Sequence, residues 1–504
     1  MKTNEGSFTN EHSLDHALEF FSKGGSAFEK AKKFYAGSNG DSTPEKILSL
    51  FIKSWIVDKI LTLKILFWVR NVRGGAGNRS GFRTCMNWLA QNEPDWVVAN
   101  ITQIPELGRW DDLECLYNTK VESYAVAFWV KSICEGNGLA AKWAGRKDNK
   151  LIAYFRNNIL KEKNHKANSV SIFRKVLVSN TKVVETQMCA QNWSEINYQH
   201  VPSVAMARYT KAFFKHDESG MLKFKEALVK GEAKINASVL FPHDCVRTVD
   251  NNGDAGIADA QFAALPNYLE GTDQRIMCLA DSSGSMDIQV SGSVKAVDIS
   301  KGLSLYCSDK VGKSNPFYRK FMIFESESKL VSWESMTFSQ AVKSRTIFDG
   351  ACGSTRIDKA IMSLLSMGKM FKATKDQMPN VLLVISDMQF SQGVSNARNT
   401  EVETCMQEWD KAGFARPKII YWNLSTYTGS QATKNDKNIA LISGFSPSLL
   451  TSVFQAKDFG PMSIMKETVD KYEVFEPKKK LVEPTKMFKT KKFKVENKYI
   501  TTTV

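Results

Sequence analysis

The spacing of hydrophobic and polar residues changes near residue 270 of the chain. Before that point, from 45 to about 240, apolar residues recur at helical intervals, most clearly in EKILSLFIKSWIVDKILTLKILFWVRNV (45–72). Thr43 and Pro44 precede this run as an N-cap and a first helical position. Further short amphipathic segments follow with polar connections, up to SVAMARYTKAFFKH (203–216). This succession predicts a HEAT-like α-helical array, although no clean repeat period is visible.

After a polar segment (247–272) that we interpret as a linker, the pattern becomes one of buried strands. Four short apolar runs alternate with helical stretches: RIMCLA (275–280), RKFMIF (319–324), NVLLVIS (380–386) and KIIYWNL (418–424). Such alternation predicts a parallel sheet with helices on both faces, in a doubly wound, Rossmann-like domain. The predicted fold class is therefore α + α/β. The predicted parts of the chain are an N-terminal extension (1–44), a helical repeat domain (45–265), the α/β domain (270–475) and a basic, weakly structured tail (476–504).

Composition restricts the class of protein. The chain has 504 residues, 43% of them hydrophobic and 24% charged, as expected for a soluble protein of several domains. The longest apolar run (60–69) contains Lys64 and is too short to span a bilayer, and the N-terminus lacks a signal-peptide core. The nine cysteines are odd in number and form no CxxC pair, which favours a reducing, cytoplasmic location over a disulfide framework.

A formal net charge of +15 suggests an anionic partner, most often nucleic acid. Residues 477–504 alone contain nine Lys against two Glu. Basic and aromatic side chains that could neutralise phosphates and stack bases occur around the RGGAGN turn, in the AKWAGRK segment, and within a run of basic residues from Lys161 to Lys182. The candidate RNA-binding residues are Arg70, Arg73, Arg79, Arg83, Lys142, Trp143, Arg146, Arg174 and Lys175. The alternative is that these are solvated helix faces whose cations pair with nearby acids.

The strongest chemical motif is DSSGSM, directly after the first predicted strand. It brings Asp281, Ser283 and Ser285 to a turn, while Thr355 opens a helix and Asp387 ends a later strand. Ligands bind beyond the carboxyl ends of strands in such sheets, so we expect these five oxygen donors to meet at one edge. Hard oxygen ligands carrying two formal charges suit Mg²⁺, or another divalent cation such as Mn²⁺ or Ca²⁺, and the absence of His and Cys disfavours zinc. The alternative is a helix-capping Asp/Ser cluster.

DSSGSM, with its downstream Thr and Asp, resembles the metal-ion-dependent adhesion site of von Willebrand factor A domains. The match covers Asp281, Ser283, Ser285, Thr355 and Asp387, although the GSTR loop departs from the commoner GGT or NTD forms. In the N-terminal half, segments such as VRGGAGNRSGFR and IPELGRWDDL resemble an uncharacterised family that joins a TROVE-like helical region to a von Willebrand A domain. That architecture is similar to the Ro autoantigen ring proteins, and this resemblance implies RNA binding. The resemblance to the adhesion site implies a magnesium ion ligated by the hydroxyls and one acid, with the last Asp often acting through water.

The sequence thus predicts a Ro-like RNA-binding protein, a ribonucleoprotein component, with a magnesium-dependent adhesion site. The alternative function is a metal-dependent scaffold that grips an acidic protein partner without RNA. We expect no enzyme, since no GxSxG motif is present and no base is identified for Ser283; a metal-dependent hydrolase is a third possibility. The pattern indicates no membrane contact and no particular oligomeric state.

Overall fold

A computed structural model describes most of the chain. The described residues are 15–25, 43–160, 168–181, 183–237, 239–291, 293–348, 355–390, 401–424, 437–455, 458–478, 482–488, 493–495 and 498–500. The segment AFEKAKKFYAG (27–37), whose sequence predicts a helix, and the lysines at 161, 163, 166 and 182 lie outside these ranges.

The N-terminal half is helical. Predicted helix 45–72 is in fact two helices, because Asp58 caps a new one by accepting the backbone N–H of Leu61. The helices of this half are α1 His16–Gly24, α2 Thr43–Val57, α3 Lys59–Arg70, α4 Arg79–Asn92, α5 Pro94–Asn100, α6 Gln103–Leu107, α7 Glu122–Cys134, α8 Gly138–Trp143, α9 Asn149–Tyr154, α10 Ser169–Asn180, α11 Val184–Cys189, α12 Ser203–His216, α13 Glu218–Lys230, α14 Pro242–Asp250 and α15 Ala255–Ala263.

The C-terminal half contains a six-stranded sheet in the order β5-β4-β1-β6-β7-β8, in which only β5 is antiparallel to its neighbour. The strands are β1 Ile276–Asp281, β2 Gln289–Ser291, β3 Val294–Lys295, β4 Lys320–Phe324, β5 Ser328–Ser332, β6 Val381–Ser386, β7 Lys418–Asn423, β8 Ile439–Ser443, β9 Phe493–Val495 and β10 Lys498–Ile500. The remaining helices are α16 Ala296–Lys310, α17 Phe338–Lys343, α18 Ile357–Met370, α19 Glu401–Lys411, α20 Leu449–Gln455, α21 Pro461–Val469 and α22 Pro484–Met487.

Helices cover both faces of this sheet. On one face Met277 and Leu279 of β1 join a buried cluster with α18 and α19, which includes Ile361 and Trp409. On the other face α16 packs against β1, β4 and β6. All four predicted strands are present, so the predicted α + α/β class is confirmed. No helix in the described ranges combines the length and the apolar character that crossing a bilayer requires.

The chain forms two compact units that do not follow the predicted segments. The first unit comprises residues 1–81 and 196–472, and the second comprises 82–195 and 473–504. The predicted helical domain (45–265) therefore contributes to both units. The sheet and its covering helices belong entirely to the first.

Part of the segment predicted as an N-terminal extension (1–44) forms helix α1. Helix α1 is part of the core of the first unit, with Leu18, Phe20 and Phe21 at most 1% exposed. It packs beside the edge strand β8, where Ser443 Oγ accepts a hydrogen bond from the Gly25 backbone N–H at 3.0 Å. Covering this edge shields a strand that would otherwise expose unpaired backbone groups.

The polar linker predicted at 247–272 is wrong, because α15 and the end of α14 occupy it. Asp254 caps α15 by accepting the Ile257 backbone N–H at 2.9 Å. Ile257 and Phe262 then form the buried side of this helix. The high proportion of polar residues hid a short helix with a narrow apolar face.

The contact between α14 and α16 in the first unit depends on a glycine. A Cβ placed on Gly302 of α16 would lie 2.6 Å from the His243 backbone nitrogen and 2.8 Å from the Pro242 carbonyl carbon. We expect Gly302→Ala to destabilise the unit by about 1–3 kcal/mol, because overpacking against backbone outweighs the better helix propensity of alanine. Urea unfolding measures this, with Gly284→Ala as the control, since nothing lies within 4 Å of an added Cβ there. Equal midpoints for the two variants would contradict the packing argument.

His243 at the same contact is fully buried, and its ring stacks on Phe241 at 5.4 Å. Burial lowers the pKa of His243, so the folded state holds this ring neutral. Below about pH 6.5 His243 is protonated in the unfolded chain but stays neutral in the folded state. The free energy of unfolding therefore decreases as the pH falls from that value towards the pKa of His243 in the folded state. We expect wild type to lose about 1 kcal/mol more than His243→Phe between pH 7.5 and 5.5. Urea midpoints at the two pH values test this; identical losses would refute a buried neutral imidazole.

The tail is wrongly predicted as weakly structured in its described part. Directly before the tail, in the second unit, Asn100 exchanges two hydrogen bonds with the Phe475 backbone at 2.8 and 2.9 Å. Phe488 is 7% exposed, and its ring lies 5.2 Å from that of Phe128. Strands β9 and β10 form a hairpin beyond it. The lysine-rich composition thus gives no indication that parts of this segment pack within the second unit.

Candidate metal centre and nucleic-acid interface

Two buried carboxylates stand at the carboxyl ends of adjacent central strands in the first unit. Asp281 is the last residue of β1, and Asp387 directly follows β6. These strands pair in parallel with Ala280 opposite Ile385, so their ends meet at one edge of the sheet. Both acids are 0% exposed. The structure therefore brings Asp281 and Asp387 together, as the sequence predicts.

The DSSGSM turn folds back over Asp281. The Ser283 backbone N–H donates to one Asp281 carboxylate oxygen at 2.9 Å. A 3₁₀ turn from Gly284 to Asp287 then places the Ser285 hydroxyl 3.1 Å from the Ser283 hydroxyl. One carboxylate and two hydroxyls consequently point into the same small volume.

The sequence missed one residue of this site, Ser386. Its hydroxyl donates to the second carboxylate oxygen of Asp281 at 2.5 Å and accepts the Met388 backbone N–H at 3.0 Å. Asp387 in turn accepts the Gln389 backbone N–H at 3.2 Å. Met388 has a φ of 64°, a left-handed conformation that turns the chain sharply after Asp387.

Thr355 lies at the same edge, next to β4. Its neighbour Arg356 donates a backbone hydrogen bond to the Glu325 carbonyl at 3.0 Å, one residue beyond β4, and Phe324 pairs with Asp281. Thr355 is 0% exposed, and α18 begins two residues later. The preceding loop residues 349–354 lie outside the described ranges.

The electrostatics of the site favour a bound cation. Burial, and then the charge of Asp387, raises the pKa of Asp281 to about 7, against the hydrogen bonds from Ser386 and Ser283. No basic side chain is among the described groups that shift this pKa. A divalent cation would relieve both the burial cost and the repulsion, so the oxygen donors fit one. In the described part of the chain, no group of three or more His, Cys, Asp or Glu side chains is arranged to hold a metal ion.

The predicted RNA-binding cluster around RGGAGN needs correction. Arg70 is 2% exposed at the end of α3 and is therefore not available at the surface. Arg83 belongs to the second unit, where its Nε lies 2.7 Å from a carboxylate oxygen of the buried Asp112. Its charge is thus largely balanced. Arg73 is exposed and Arg79 is half-buried at the start of α4.

The structure joins the other predicted basic residues into one surface of the second unit. Arg174 Nε donates to the Arg146 backbone carbonyl at 3.3 Å, which brings α10 beside the segment that follows α8. Arg109, missed by the sequence, places its guanidinium 4.1 Å from the Trp143 ring centre. We call this the basic–aromatic surface; its residues are Arg109, Lys142, Trp143, Arg146, Lys147, Arg174 and Lys175. Arg146, Lys147, Arg174 and Lys175 are exposed.

Two protein-family models match this chain. A family model described as Domain of unknown function (DUF2828) matches residues 3–122 and 146–282, just over half of the chain. The chain belongs to this family. A second model, Domain of unknown function (DUF7788), matches residues 275–491, which include the whole six-stranded sheet. Both matches include β1 and Asp281.

Two further comparisons extend over most of the chain. An uncharacterized protein of Acanthamoeba polyphaga mimivirus is 23% identical over 482 residues, 84% of this chain and 82% of its own length. A crystal structure of the Deinococcus radiodurans RO (RSR) protein is 12% identical, with a TM-score of 0.37, covering 91% of this chain and 99% of that chain. A TM-score of this size does not establish a shared fold. The resemblance to TROVE-like and von Willebrand A families therefore stays a prediction.

Proposed function

We propose that the chain is a binding protein whose first unit uses a divalent cation to grip an acidic group of a partner. The observation that carries this is the pair of buried carboxylates, Asp281 and Asp387, at the ends of neighbouring strands with no basic side chain among the described groups that shift the pKa of Asp281. Asp281, Ser283, Ser285, Thr355 and Asp387 would hold Mg²⁺, or Mn²⁺ or Ca²⁺ in its place. We propose binding and no catalytic step.

Hydrogen bonds within the chain preorganise the oxygen donors of this site in the absence of a ligand. Ser386 and the Ser283 backbone N–H fix the orientation of the Asp281 carboxylate by hydrogen bonds to its two oxygens. The 3₁₀ turn holds the Ser285 hydroxyl beside that of Ser283. A divalent cation supplies a Lewis-acidic centre that takes one more anionic oxygen, because two carboxylates leave its coordination shell incomplete.

Titration with Mn²⁺, followed by the electron paramagnetic resonance signal of the free ion, tests the site. We expect one bound Mn²⁺ per wild-type chain and its loss in Asp387→Asn, with Mg²⁺ competing. Asp376→Asn removes an exposed-loop carboxylate outside the site and is the matched control. A free-ion signal that rises in proportion to added Mn²⁺ for the wild type would overturn the proposal.

A second candidate function, RNA binding, is favoured by the basic–aromatic surface. Lys142 of α8 lies 5.8 Å from the Trp143 ring centre, and Arg174 of α10 bonds to the backbone of the segment that follows α8. Basic and aromatic groups in this arrangement suit a phosphate backbone with stacked bases. Fluorescence polarisation with single-stranded and hairpin RNA over a salt series tests this; no salt-sensitive binding at low ionic strength would refute it. Affinity purification with and without chelator distinguishes RNA binding from a metal-dependent protein scaffold. The scaffold function predicts that a protein partner is lost on chelation and that no nucleic acid is recovered.

A further inference from the structure

A groove in the first unit, separate from the carboxylate pair, lies between α12 and α14. Its residues recur every three or four positions on each helix, so each helix presents one face to the same cavity of about 350 Å³. Those on α12 include Val204, Arg208 and Lys211, and those on or after α14 include Arg247, Thr248 and Asn251. A cavity of this size is large enough for a nucleotide-sized ligand.

Three cations line this groove with little to neutralise them. Arg208 and Lys211 are exposed, and within the described part of the chain neither forms an ion pair. Arg247 bonds to the neutral hydroxyl of Ser293. These cations come from two helices, so they approach the cavity from two sides.

The two carboxylates that also line the groove are already engaged. Asp244 accepts the Phe241 backbone N–H at 2.9 Å at the start of α14. Asp254 accepts the Ile257 N–H at 2.9 Å and lies 2.8 Å from Lys225 Nζ. Their negative charge is partly offset by these partners, which leaves the groove with an excess of cationic donors.

We propose that this groove binds a phosphate group. Guanidinium groups pair bidentately with phosphate oxygens, and a lysine adds a mobile point charge. The oxygens of a tetrahedral phosphate point in several directions, so one phosphate can accept bonds from both helices at once. The phosphate belongs either to a free nucleotide or to a nucleic-acid backbone, and both offer the same oxygens to Arg208, Lys211 and Arg247.

The test compares Arg208→Ala/Lys211→Ala with Lys223→Ala/Lys234→Ala, which removes the same charge from exposed positions outside the groove. The full chain is titrated with inorganic phosphate, AMP and a ten-nucleotide single-stranded RNA by calorimetry. EDTA is present throughout, so failure of the cation site cannot affect the result. The RNA arm uses an Arg146→Ala/Arg174→Ala background, so the basic–aromatic surface contributes little.

We expect the groove variant to weaken binding about tenfold or more relative to the control, because it removes two charged donors to the phosphate. Loss of AMP binding alone identifies a free nucleotide as the source, and loss of RNA binding identifies a backbone phosphate. Equal affinities in the two variants for all three probes, or no binding of any probe, would overturn the proposal. Circular dichroism of both variants checks that each is folded.

Discussion

Asp281→Asn is expected to stabilise the cation-free protein and to abolish its response to Mg²⁺. In the absence of cation, burial and Asp387 raise the pKa of Asp281 to about 7, far above that of an unfolded chain. Stability is therefore present at acidic pH and lost as pH rises from about 4 to about 7. The ionised carboxylate therefore carries a free-energy cost in the cation-free fold above pH 7, because it is buried beside a second acid. Asparagine removes that cost and keeps an oxygen for one of the two hydrogen bonds.

Thermal melts at pH 8, in EDTA and in excess Mg²⁺, measure both effects. The wild type should melt several degrees higher with Mg²⁺, whereas Asp281→Asn should melt higher than wild type in EDTA and show no shift with Mg²⁺. Asp287→Asn is the matched control, because that carboxylate lies in the same turn but is 61% exposed and pairs with Lys295. If Asp281→Asn were less stable than wild type in EDTA, the ionised Asp281 would not destabilise the cation-free fold, and this explanation would be refuted.

Arg146→Ala/Arg174→Ala is expected to reduce single-stranded RNA affinity about 10- to 100-fold at low salt. Both side chains are exposed, and the hydrogen bond that Arg174 Nε donates to the Arg146 backbone carbonyl brings these two residues together on the surface. Each lost phosphate contact reduces the slope of log K against log salt by about 0.7 for single strands, so the double variant should lower it by about 1.4. Fluorescence polarisation between 25 and about 200 mM salt, the range in which such contacts dominate, provides the measurement.

The control for this variant removes two cations elsewhere in the second unit, Lys120→Ala/Lys131→Ala. A general effect of net charge would weaken RNA binding equally in the two proteins. A specific surface predicts that the control keeps nearly all of its affinity and its salt slope. Equal losses would therefore assign the binding to overall charge and not to the basic–aromatic surface.

The sheet could be predicted because its central strands are buried on both faces. Runs such as VLLVI within NVLLVIS are apolar at every position, which is typical of a parallel strand that is buried on both faces. An acid that follows such a strand then lies at the shared edge of the sheet. Asp281 and Asp387 follow from this reasoning alone. Ser386 does not, because only the register between β1 and β6 shows that its hydroxyl meets Asp281.

Predictions failed where tertiary packing decides the environment of a residue. Arg70 ends a helix, where a cation is usually solvated, yet the fold buries it to 2% exposure. Arg146 and Arg174 are 28 residues apart, and no local pattern indicates that they meet. Helices α1 and α15 are short and are flanked by polar residues, so the sequence around them predicts an extension and a linker.

The most direct test of the cation site is anomalous X-ray diffraction from crystals of the wild-type chain soaked in MnCl₂. The account predicts one strong manganese peak in contact with Asp281 and the hydroxyls of Ser283 and Ser285, at the edge where β1 and β6 end. A map with no peak there, from crystals in which manganese is bound elsewhere or not at all, would contradict it.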